Sequence, residues 1–135
     1  MIEFKKAKWA DVTPTGNLKN FTGKLEFQMH NSDATGLPLV NHNMFGADII
    51  RFGPGEKVKK HTHPGDHILF VLKGTGIVEY YDDKYQLSPG VVYLIPEYVP
   101  HAIYADDTET NELILLAVGN DHRPVNSKDR LVMID

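Results

Sequence analysis

From residue 44 to residue 118 the apolar residues come in short runs, closed off at close intervals by Gly, Pro and Asp. No apolar stripe of 3.6-residue period lasts for three turns, so a helix would have no continuous face to bury, whereas strands would. The runs 44–52, 67–72, 77–81, 91–95, 101–105 and 112–118 are rich in Val, Ile, Leu, Tyr and Phe and read as strands. Between them stand Gly53-Pro54-Gly55, Lys73-Gly74-Thr75-Gly76, Asp82-Asp83-Lys84 and Ser88-Pro89-Gly90, which carry residues that supply a positive φ or fix a turn. The pattern predicts an all-β sandwich or barrel built from hairpins. Residues 30–38 read as a loop, and 25–29 as a candidate edge strand. The tail after Gly119 reads as an extension lying over the barrel and suited to a dimer contact.

A chain of 135 residues with 41% hydrophobic content is of the size that forms one domain with a core of its own. Within it, 1–40 is expected to be an N-terminal extension with edge strands, 44–118 the barrel core and 119–135 a C-terminal tail. The net charge of −4 offers no basic field for nucleic acid. The absence of Cys excludes disulfides, thiolate metal sites and a Cys nucleophile together, so any metal must be held by His and carboxylate. The basic start, Met1 to Lys8, leads into no apolar segment, and no apolar stretch is long enough to span a membrane. A cytoplasmic protein without a membrane partner is expected, and Asn20-Phe21-Thr22 then carries no weight as a glycosylation acceptor.

The histidines are the informative residues. His61 and His63 are two apart, so on an extended strand both imidazoles project to one face and can share an ion. His67 follows the Pro64-Gly65 turn signal and opens the next strand, which lets the chain fold back and bring in a third imidazole. His101, after the tight connection from Pro96 to Pro100, supplies a fourth and completes a nitrogen-rich site suited to a first-row metal.

These segments resemble the two motifs of the cupin superfamily. The first is Gly, five residues, His-x-His, three or four residues, Glu, six residues, Gly. Here Gly55, His61, His63 and Gly74 match, with His67 in place of the Glu. The second is Gly, five residues, Pro-x-Gly, two residues, His, three residues, Asn. Here Gly90, Pro96 and His101 match, while Tyr98 stands where the family usually has Gly and Ala105 where it often has Asn. With 7 His among 135 residues, filling four prescribed positions by chance is on the order of one in 10^5, so chance is a poor explanation. The resemblance runs from Gly55 to Ala105 and matches nothing specific in residues 1–40. It implies a single cupin barrel, a double-stranded β-helix of jelly-roll form, with the metal on His61, His63, His67 and His101.

A neutral imidazole in place of a carboxylate leaves the site one unit more positive, which disfavours Mg and Ca and suits one divalent transition metal: Fe, Mn, Ni, Cu or Zn. Strand parity puts Leu69 and Val71 on the side of His67, puts Ile103 and Ala105 on the side of His101, and turns Tyr104 away. The pocket should therefore be apolar and take a small organic substrate. Lys57, Lys59 and Lys60 read as a solvated face, Trp9 as a core or interface anchor, and His30, His42 and His122 as surface or hydrogen-bonded residues outside the site. Leu113-Ile114-Leu115-Leu116 reads as an exposed apolar strand best covered by a second copy, hence a homodimer.

Three functions compete on this evidence. The leading one is a metal-dependent oxidoreductase of dioxygenase type, as in several cupin enzymes. The second is a non-redox isomerase, epimerase or lyase acting on a sugar acid or carbonyl compound, against which the missing carboxylate base counts. The third is a non-catalytic metal- or ligand-binding module.

Overall fold

A computed structural model describes residues 27–134. Trp9, the Asn20-Phe21-Thr22 pattern and the rest of the segment up to residue 26 lie outside the described residues. Eleven strands follow in order: β1 Phe27–Gln28, β2 Thr35–His42, β3 Phe45–Phe52, β4 Lys57–Thr62, β5 His67–Lys73, β6 Gly76–Tyr80, β7 Asp83–Leu87, β8 Val92–Ile95, β9 His101–Ala105, β10 Leu113–Gly119 and β11 Val132–Met133. They form two antiparallel sheets, one ordered β1-β2-β3-β10-β5-β8 and the other β11-β4-β9-β6-β7. Among the described residues no helix is long and apolar enough to cross a membrane.

Period-two alternation explains which side chains enter the core. In β5, His67, Leu69 and Val71 are buried while Ile68 and Phe70 face outward. The core between the sheets contains Ile50, Phe52, Val58, Leu69, Ile103, Leu113 and Leu115, and each such side chain contributes about 1.5–3 kcal/mol when fully buried.

Four expectations change on the structure. The stretch expected to be a loop ends in β2, whose residues Thr35 to Pro38 pair with Arg51 to Asp48 of β3; the Gly and Pro within it suppressed the strand signal. The turn expected at 82–84 sits one residue earlier: Tyr80 pairs with Asp83, Tyr81 takes a φ of 54°, and β7 begins at Asp83. Leu113-Ile114-Leu115 is not an exposed edge, because β10 lies between β3 and β5 and these three side chains are buried. Exposed apolar side chains stand instead on the neighbouring strands β5 and β8, among them Ile68, Phe70, Val92 and Leu94. Finally, the tail is part of the barrel: β11 pairs with β4 at His61 and Thr62, and Val125 and Leu131 are buried in the core.

Candidate metal centre

His61 reaches the interior through a β-bulge. In the β4·β9 pairing, Val58 faces Ile103 and His61 faces His101, so three steps on β4 match two on β9. Without the extra residue, Val58 and His61 would point to opposite faces; with it, both are buried. His63 lies two residues on, just past the end of β4, and is also buried, as the two-residue spacing predicts. The following turn is pinned at Gly65, which has a φ of 76° and leaves no room for a Cβ, since one would come within 1.9 Å of the Asn120 carbonyl oxygen. That turn sends the chain into β5, which begins with buried His67 in the opposite sheet. The connection before His101 is held by the Tyr98 amide donating to the His63 carbonyl at 2.9 Å and the Glu97 amide donating to Asp66 at 2.9 Å. Tyr98 has a φ of 59°, the left-handed conformation that glycine adopts without cost, which explains why Gly is usual there.

The four imidazoles form a chain of contacts. His61 and His101 have ring centres 4.1 Å apart, His63 and His101 4.8 Å, His61 and His63 6.3 Å, and His63 and His67 4.2 Å. With metal–nitrogen bonds of about 2.1 Å, two imidazoles at neighbouring positions of one ion have ring centres roughly 4.5 Å apart, and two at opposite positions roughly 6.5 Å. The His61, His63 and His101 separations match that pattern. His67 makes ring contacts with His63 on one side and with His122, at 5.4 Å, on the other. Among the described residues no three His or carboxylate side chains already enclose an ion, so closing on one requires the rings to turn.

Hydrogen bonding fixes which nitrogen is free. His61 Nδ1 bonds the Lys59 carbonyl at 2.7 Å, His101 Nδ1 the Val99 carbonyl at 2.8 Å, and His63 Nδ1 the Gly65 carbonyl at 3.1 Å. A carbonyl only accepts, so each Nδ1 carries the proton and each Nε2 keeps its lone pair, the state in which histidine ligates metals. His67 Nε2 is buried without a hydrogen-bond partner. Burial pushes all four below the ordinary imidazole range, His61 to about 4 and His67 to about 2, and the nearby Arg130 charge adds to the effect at His61, His63 and His67. All four are thus neutral at pH 7. An orphaned buried nitrogen, three pre-set tautomers and a neutral all-imidazole donor set fit a transition metal.

Gly119 sets the place of the His67 ring. A Cβ there would come within 1.9 Å of His67 Cδ2 and 2.6 Å of the Asp66 carbonyl oxygen. Gly119→Ala is expected to cost about 2 kcal/mol by overpacking and to displace His67, measured as a lower urea midpoint together with weaker metal uptake in a titration.

The rings open on a narrow cavity of about 40 Å3, walled by Phe52, Leu69, Ile103, Leu115 and Arg130. Leu69 and Ile103 stand where strand parity put them, and the wall is apolar apart from the histidines and Arg130. Three buried polar residues at this end were not anticipated as a group. Asp48 Oδ2 accepts from Arg130 Nη1 at 2.5 Å and bonds His122 Nε2 at 2.5 Å; Arg130 Nη1 also donates to the Arg123 carbonyl at 2.9 Å. His122, expected outside the site, is buried against His67, and its Nδ1 has no partner. One signal was available: Asp48 shares strand parity with Ile50 and Phe52, and an inward-facing carboxylate requires a partner. Lys60, by contrast, meets Glu79 and Asp82 at the surface, in keeping with a solvated lysine face.

Comparison with known proteins gives the family. No curated protein sequence matches. Among solved structures, the polyketide cyclase RemF from Streptomyces resistomycificus superposes with a TM-score of 0.68 at 19% identity, covering 94% of this chain and 89% of its own. KdgF from Halomonas sp. gives 0.61 at 22% identity over 67% of this chain and 81% of its own. Salicylate 1,2-dioxygenase from Pseudoaminobacter salicylatoxidans gives 0.58 at 17% identity over 65% of this chain but only 25% of its own. These likenesses establish a shared fold. The family model for the cupin domain matches residues 48–119, more than half of the sequence and inclusive of all four histidines. The chain belongs to the cupin family, with a single all-β jelly-roll barrel.

Proposed function

We propose that this cupin is a metal-dependent enzyme acting on a small organic substrate, with one divalent transition metal held by His61, His63, His67 and His101 and with chemistry of the dioxygenase type. The observation that carries the reading is a run of four buried, neutral imidazoles in ring contact from His61 and His101 through His63 to His67, three of them with Nδ1 committed to a backbone carbonyl. Such an ion would supply Lewis acidity and, for Fe, Mn, Ni or Cu, redox chemistry. The chain's own part is to hold the ring tautomers through Lys59, Val99 and Gly65, to keep bulk water out with Leu69, Ile103 and Leu115, and to limit what enters to a small group.

The non-redox reading gains one support that the sequence did not offer. His122, hydrogen-bonded to Asp48, keeps an unpartnered Nδ1 beside His67, although it is not among the residues walling the cavity, so reaching a substrate from there would require His67 to move. Proton transfer at His122 Nδ1 would serve an isomerase or lyase.

Elemental analysis of protein purified without added metal, on the native chain and on His67→Ala, tests the centre. A near-stoichiometric Fe, Mn, Ni or Cu content in the native chain, lost in the variant, is expected. Oxygen uptake with candidate substrates then separates the two chemistries: turnover under strict anaerobiosis would replace the dioxygenase reading by the isomerase or lyase reading. Failure of native protein to take up any of the five metals would overturn the metal-centre reading.

A further inference from the structure

One wall residue brings a formal charge to the cavity beside the histidines. Among the described residues that wall it, Arg130 alone carries a formal charge, and the residue is almost completely buried. The guanidinium has five N–H donors in a fixed fork. Both hydrogens of Nη1 are spent, on Asp48 Oδ2 and on the Arg123 carbonyl. No described residue accepts from Nη2 or Nε, the edge of the fork that binds a carboxylate through two parallel hydrogen bonds. Asp48 is itself held by His122, so the whole assembly is rigid before any ligand arrives.

We propose that Arg130 is the anion-binding residue of this cavity, and that its ligand is a small compound whose carboxylate enters between the guanidinium and the histidines. The size of the space agrees. At about 40 Å3, against the roughly 10–15 Å3 that one water needs on the same measure, it has room for a small acid head group. The charge agrees too. The four imidazoles are neutral and Asp48 offsets the charge of Arg130, so a divalent cation among them would leave a positive excess that no wall residue compensates. An entering carboxylate offsets that excess in a low-dielectric setting. Pairing with a bound metal rests on the proposed metal reading; the Arg130 site itself does not.

The test uses the cobalt-loaded chain, whose visible absorption reports on the metal, titrated with pyruvate and with its neutral analogue pyruvamide. Native protein is expected to bind pyruvate on the order of 10- to 100-fold more tightly than pyruvamide, the range expected for charge-assisted hydrogen bonds. The paired variant Asp48→Asn with Arg130→Met removes both buried charges at once, which avoids the destabilisation of leaving one buried charge unpaired. It is expected to retain the native cobalt spectrum and lose the preference, and Arg130→Lys, which keeps the charge without the fork, is expected to recover part of it. A full preference in the paired variant, or none in the native protein, overturns the proposal. If cobalt does not bind the native chain at all, the metal reading fails separately. The same titrations followed by calorimetry on the metal-free chain then decide the anchor: a preference lost in the paired variant supports it, and equal binding of both compounds overturns it.

Discussion

Replacing Asp48 alone, as Asp48→Ala, is expected to destabilise the barrel by about 3–5 kcal/mol, whereas Asp48→Asn paired with Arg130→Met is expected to be close to neutral. The asymmetry follows from where the charges sit. Asp48, His122 and Arg130 are all buried, and Asp48 Oδ2 is the shared acceptor for the other two. Removing the carboxylate strands a guanidinium whose desolvation nothing offsets, since its remaining protein acceptor is the Arg123 carbonyl. Removing both charges also removes the desolvation cost of both. Urea unfolding of the two variants reads the difference directly. If Asp48→Ala proved as stable as the pair, the guanidinium would have found solvent or another acceptor, and the ion pair would not be what ties the tail to β3. A large loss would establish the tail as part of the fold, because Arg130 is supplied from residues that follow the last long strand.

The difference between what the sequence displayed and what it concealed has a physical basis. β5 was legible because it presents a buried face with period two, and β9 because it is a short run of mostly buried residues bounded by turn residues. The edge strand β7 was not: four of its five residues are exposed, so no alternating signal forms, and its pairing to β6 alone sustains it. The histidine spacing was informative because local parity decides the direction of His61 and His63. The bulge that aims His61 inward, however, shows only in the register with β9, a long-range fact. Arg130 was invisible for the same reason. Nothing within the tail distinguishes it from Arg123, which stays at the surface with Asp121 and Asp129, until folding brings Asp48 beside it.

Metal-free protein is expected to lose stability steeply between about pH 6.5 and pH 4, by about 1.4 kcal/mol per pH unit for each imidazole that stays neutral when folded. The sign follows from proton counts. In the unfolded chain the four histidines titrate near 6.5, while in the barrel burial holds His61 down to about 4, His67 to about 2, and His63 and His101 below the ordinary range as well. Above pH 6.5 neither state binds these protons, and the histidines make no pH-dependent contribution. Below it the unfolded state gains protons first, so unfolding is favoured progressively until each folded-state value is passed; for His61 that window closes near pH 4. With four groups acting in the same direction, the loss over this window is expected to consume much of a typical domain stability of about 5–15 kcal/mol. Urea midpoints measured from pH 7.5 to pH 4 check the slope. A flat profile would place the imidazoles in contact with solvent, where protonation is free. A metal bound to the same nitrogens competes with those protons, so loading is expected to move the acid transition to lower pH by stabilising the folded state alone. His101→Gln, which removes one of the four buried imidazoles, should reduce the slope.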